Sequence, residues 1–88
     1  MGNQDRIARQ VGVTVRRLRQ QRAETQHQVA GLAGILTTEL SAYERGQQLP
    51  SVPVLARLLA ALDCTEEHFS RHFGPFGEVE AIRSTGGL

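Results

Sequence analysis

The chain contains no lysine and no tryptophan, and only one cysteine, one tyrosine and three prolines. A lone cysteine, Cys64, excludes an internal disulfide framework and fits a reducing cytoplasm. Long apolar runs are also missing. The most apolar stretch, Val52 to Leu62, includes Arg57 and is too short to span a bilayer. Met1 to Ala8 lacks the basic-then-apolar layout of a secretory leader, so none is expected. Apart from Val11-Gly12-Val13-Thr14-Val15, no stretch alternates at period two, and no hairpin dipeptide lies between two apolar runs, which argues against strands. What remains is 88 residues with 40% hydrophobic and 22% charged side chains, ordinary values for one small globular domain.

Ten arginines face nine acids, for a net charge of +1. At face value this opposes a strongly basic nucleic-acid binder. The distribution is uneven, however. Residues 1–46 hold seven Arg and four acids, whereas residues 47–88 hold three Arg and five acids. Arg6, Arg9, Arg16, Arg17, Arg19 and Arg22 follow one another with no acid between them. Such a run is either a solvated helix face or a stripe for a polyanion. Arginine, unlike lysine, can grip phosphate through two parallel hydrogen bonds.

Apolar spacing is helical throughout. Val11, Val15 and Leu18 define one face of a first helix ending near Arg22, preceded by Gly12-Val13-Thr14 as weak helix material. Asp5 is its N-cap if the helix starts early. Otherwise residues 1–10 form a loose arm. Thr25-Gln26-His27-Gln28 reads as a capping box opening helix 2, which turns Val29, Ala30 and Ala33 inward and stops at Gly34. Gly31, inside that helix, costs about 1 kcal/mol against alanine. Helix 3 runs from about Thr37 to Arg45, with Leu40 and Tyr43 inward and Gly46 as its stop. Ser51 caps helix 4, with Val54, Leu55, Leu58, Leu59 and Leu62 as its apolar face. Thr65 starts helix 5, where Glu66 and Glu67 meet the positive end of the dipole. The expected fold is all-α, with five short helices over 11–73, residues 1–10 as an arm or helix extension, and 74–88 as a tail.

The informative stretch is Gln26 to Gly46. Two short helices meet at Gly34-Ile35-Leu36, and the small Ala30 and Ala33 let them approach at a steep angle. This is helix-turn-helix construction, in which the second helix stands away from the core. Arg16-Arg17-Leu18-Arg19, Thr25-Gln26, Tyr43-Glu44-Arg45-Gly46 and Leu49-Pro50-Ser51 together resemble the lambda-repressor/Cro/Xre-like family of regulators, over residues 11–73 without a gap. The resemblance implies a five-helix DNA-binding domain that commonly acts as a two-fold dimer on double-stranded DNA.

Roles carried over by that resemblance fall on particular positions. Gln26 is expected to touch a phosphate and to brace the recognition helix. Thr37, Thr38 and Ala42 fall on the base-reading face, where hydroxyls and methyls can meet base edges and thymine methyls. Arg45, Gln47 and Gln48 are placed near backbone phosphates, with Arg16 and Arg17 as weaker candidates. Glu44 is expected to pair with Arg19, fixing the recognition helix to the scaffold. Leu36 stands where the family has a capping serine. Thr37 is therefore expected to cap instead, shortening helix 3 at its reading end. Glu39 lies on or beside the reading face, where it repels phosphate or accepts from a cytosine amino group. With no Arg, Asn or Gln before Arg45 in helix 3, specificity is expected to lean on DNA shape and dimer spacing.

Other chemistry is weaker. Cys64, His68 and His72 are spaced four apart, but Cys64 precedes the cap Thr65 and a fourth zinc ligand is lacking, so no metal site is expected. No nucleophile elbow, paired carboxylates or glycine-rich phosphate loop occurs. The reading is therefore a cytoplasmic DNA-binding repressor, not an enzyme, with no cofactor and no membrane partner. Phe69, Phe73 and Phe76 either close the core or form a dimer surface. The alternative function is a protein-interaction module on the same fold, such as an antitoxin.

Overall fold

Helical periodicity becomes five helices in the computed structural model, which describes residues 3–71: α1 (Asn3–Gln21), α2 (Gln26–Ala33), α3 (Thr37–Glu44), α4 (Val52–Ala61) and α5 (Glu66–Arg71). No strand occurs among the described residues. Helix α1 begins at Asn3, well before Val11, so residues 3–10 extend the helix. Asp5 therefore lies in the first turn and is not the N-cap expected above. The weak stretch Gly12-Val13-Thr14 does not break it. Thr14 is fully buried, and its hydroxyl donates to the Gln10 carbonyl one turn back at 2.8 Å, so burial leaves no orphan polar atom.

The caps explain where the next helices begin. The Thr25 hydroxyl accepts from the Gln28 amide at 3.1 Å, and the Gln28 side chain accepts from the Thr25 amide at 2.8 Å. Ser51 accepts from the Val54 amide, and Thr65 accepts from the His68 amide. Gly34 closes α2 in the left-handed region. Two non-glycine residues, Ala23 and Asp63, take the same conformation after α1 and α4.

One core joins the helices. Val11, Val15, Leu18, Val29, Ala30, Ala33, Leu40, Tyr43, Leu58, Leu59, Leu62 and Phe69 form it, with Ile35, Val54 and Leu55 packed at its edge. Helix α1 packs on α3, α2 on both α3 and α4, and α4 on α5. Phe69 is only 4% exposed in the single chain. It closes the core and is not available as an interface anchor, which corrects one of its two expected roles. Phe73 and Phe76, paired with it in that expectation, lie outside the described residues.

Gly31 faces solvent, with no atom within 4 Å of where a Cβ would stand. Gly31→Ala is expected to stabilise the domain by about 0.5–1 kcal/mol, because alanine restricts the unfolded chain and meets nothing in the folded one. A thermal melt showing no gain would contradict this.

Candidate nucleic-acid interface

Helix α3 has one side in the core and the other turned toward solvent. Its inner side carries Leu40 and Tyr43, both buried, and its outer side carries the exposed Thr38 with the half-buried Thr37, Glu39, Ser41 and Ala42. The start of α3 differs from expectation. Leu36 is the N-cap, with extended backbone, and Thr37 is the first helical residue. Leucine has no oxygen to offer the helix amides. Glu39 instead folds back, its Oε1 accepting from the Leu36 amide at 2.8 Å. This returning half of a capping box holds the full first turn, so the helix is not shortened and Thr37 does not cap it. The Thr37 hydroxyl lies 3.3 Å from His27 Nδ1, tying the first turn of α3 to α2.

The other end of α3 is anchored much more firmly. Arg19 Nε donates to Glu44 Oε2 at 2.7 Å, and Nη2 donates to Oε1 at 3.0 Å. The fork is bidentate, the strongest geometry for this pair. The Glu44 side chain is only 2% exposed and that of Arg19 13%. Burial and the negative end of the α3 dipole both oppose a carboxylate here, and Arg19 with its hydrogen bonds offsets them. The hydrogen bond to Glu44 raises the Arg19 pKa and its charge adds to the rise, while desolvation opposes both; Arg19 stays charged. Arg19 Nη1 also donates to the Glu24 carbonyl at 2.8 Å, and Gln26 Nε2 donates to Glu44 Oε1 at 3.0 Å. One node thus ties α1, the α1–α2 loop, the start of α2 and the end of α3. Pairing of Arg19 with Glu44 is where the resemblance put it. The amide of Gln26 braces α3 through Glu44, a partner that sequence spacing did not indicate.

Gly12 makes this approach possible. A Cβ there would stand 2.2 Å from the Tyr43 carbonyl oxygen and 2.9 Å from that of Glu44. The backbone of α1 therefore lies directly against the last turn of α3. The sequence signal was a glycine inside an apolar helix face, which propensity alone reads only as weak helix.

The remaining candidates lie at the surface. Arg45 caps α3 at its C-terminus, and its Nε donates back to the Ser41 carbonyl at 3.2 Å. Gln47, Gln48, Arg16 and Arg17 are exposed. Leu32 and Leu36 are each 66% exposed, large apolar side chains flanking the entry to α3. Among the described residues no group of three His, Cys, Asp or Glu is placed to hold a metal ion. Burial, then Asp63, pushes the Cys64 thiol pKa up, away from the thiolate that a metal or a nucleophilic reaction would need. His72 lies outside the described residues.

A family model described as a helix-turn-helix domain matches residues 10–71, most of the chain and all of α2 and α3. The chain belongs to this helix-turn-helix family. Its fold is accordingly that of a small all-α DNA-binding domain, and its function at that coarse level is a DNA-binding regulator. No curated protein matches the chain. Among the described residues no helix is long and apolar enough to cross a membrane.

Proposed function

We propose that this helix-turn-helix protein is a sequence-specific transcriptional repressor of the cytoplasm, not an enzyme, which binds double-stranded DNA as a homodimer. Helix α3 enters the major groove. The carrying observation is the contrast between its two sides: Thr38 stands exposed in front, while the buried Arg19–Glu44 pair holds the helix from behind. A fixed helix with a polar outer face suits groove reading, where position and orientation must be set before contact.

Thr37, Thr38 and Ala42 read base edges in this proposal. Leu36 adds an apolar surface that a thymine methyl would fit. Glu39 serves chiefly as the cap of α3, since its carboxylate is already engaged by the Leu36 amide. Arg45, Gln47, Gln26 and Arg17 meet phosphates, which position the domain without selecting sequence. Dimerisation draws on Phe73 and Phe76 rather than on Phe69. Two copies would set their recognition helices about 34 Å apart, one DNA turn.

Selection of bound DNA from a random pool tests this reading. A two-fold site with half-sites one turn apart is expected. Thr38→Ala should change the selected sequence, whereas Arg45→Ala should weaken all sequences alike. An unchanged preference for the Thr38 variant would mean that the reading face is wrongly assigned.

A protein-interaction module on the same fold is the second reading. It is favoured by Leu32 and Leu36, whose exposure beside α3 is unusual for a polar groove reader. Binding to random duplex DNA across a salt series separates the two. Affinity that falls steeply with salt supports the DNA reading. No such binding at low ionic strength supports a protein partner.

A further inference from the structure

Helix α1 carries a basic face of which only Arg17 has a contact in the DNA-binding reading above. Arg6, Arg9, Arg16 and Arg17 are all exposed. At 100° per residue they fall within an arc of about 100°, opposite Ala8, Val11, Val15 and Leu18. Among the described residues none of these four arginines joins an ion pair, whereas Arg19, Arg22 and Arg71 each meet a carboxylate. The one acid of α1, Asp5, lies in its first turn.

The N-terminal end of this face touches the loop that follows α3. A Cβ on Gly46 would stand 2.8 Å from Arg9 Cγ and 2.9 Å from Arg9 Cα, so glycine is what lets the loop and α1 meet. Gly46 also has φ +73, a conformation that glycine takes without strain. It sits between Arg45 and Gln47, both proposed phosphate contacts. The first turns of α1 and the α3–α4 loop are therefore one continuous surface.

We propose that Arg6 and Arg9 form a second phosphate grip, engaging the DNA backbone beside the groove that α3 enters. This rests on the DNA-binding reading above and extends its footprint to the start of α1. Charge and continuity select DNA as the occupant. The face is basic, adjoins the loop nearest the duplex, and uses arginine, whose fork matches phosphate oxygens.

The test uses the full chain carrying Arg6→Gln and Arg9→Gln together, which keeps much of each stem and removes both charges. Binding to a random duplex and to a selected site is followed by fluorescence anisotropy across a salt series. Each lost phosphate contact should flatten the plot of log affinity against log salt by about 0.9, so the double variant should flatten it by about two. Sequence preference should not change. Arg6→Gln alone should flatten it by about one, which covers a double variant that folds poorly. Arg57→Gln, an exposed arginine on α4, should leave the slope as it was.

An unchanged slope in the double variant, with wild-type binding intact, overturns the grip alone. An equal change in Arg57→Gln marks a general charge effect and also overturns it. Lost self-association at constant slope assigns the face to a second copy and overturns it too. Absence of salt-dependent binding by the wild type overturns both the grip and the DNA reading.

Discussion

Arg19→Ala should destabilise the domain by about 3–5 kcal/mol, the range for breaking a buried ion pair from one side. The reason lies with the group left behind. Glu44, whose side chain is only 2% exposed in the intact pair, would be left with Gln26 as its remaining side-chain donor. The Glu24 carbonyl would lose its donor as well. For a domain of this length total stability is about 4–13 kcal/mol, so a large share disappears. Urea titration measures the loss as a lower midpoint at constant slope. Replacing both partners, Arg19→Met with Glu44→Leu, should cost less than Arg19→Ala alone, because no charge is stranded. A single-variant loss under about 1 kcal/mol would mean that water reaches Glu44 readily and that the node is not what holds α3.

Gly12→Ala is expected to cost about 2–3 kcal/mol, against a helix-propensity gain of about 1 kcal/mol for the same change. The sign is the diagnostic. In an unpacked helix alanine wins. Here its methyl would fall 2.2 Å from a backbone oxygen, and neither that oxygen nor the helix bearing it can rotate aside. The last turn of α3 must move, so amide resonances of Tyr43 to Gly46 should shift while those of α4 stay in place. DNA affinity should fall with them. A neutral or stabilising Gly12→Ala would show that α1 and α3 stand farther apart. Gly31→Ala, with open space around it, is the internal comparison.

The helices were legible because local chemistry announces them. Thr25, Ser51 and Thr65 are caps whose hydroxyls act within three residues, Gln28 answers Thr25 through its side-chain carbonyl, and the apolar periodicity of Val11, Val15 and Leu18 needs no distant partner. Start sites were less legible where a cap is unconventional. Leu36 has no acceptor, and its substitute comes from Glu39, which sequence reading had assigned to the surface facing DNA. Helix α1 begins early because its first turns continue a helix already secured by α3, not because Asp5 caps it. The candidate site was legible in its ion pair, through resemblance. Through the same resemblance Gln26 was expected to brace α3, but Glu44 as its partner was not legible, nor were Gly12 or the contact of Arg9 with Gly46, since each depends on elements distant in sequence meeting in space. Phe69 illustrates the same limit. Helical spacing cannot distinguish a residue that closes its own core from one that meets another copy.

The two ends of α3 are held by different kinds of contact. Near Glu44 it is clamped by a bidentate ion pair and by backbone against backbone. Near Leu36 it is tethered by one solvent-exposed carboxylate and a 3.3 Å side-chain contact. Under the DNA-binding proposal the buried pair near Arg45 fixes the direction of the helix, and Thr37 and Thr38 meet the groove from a first turn held by lighter side-chain contacts.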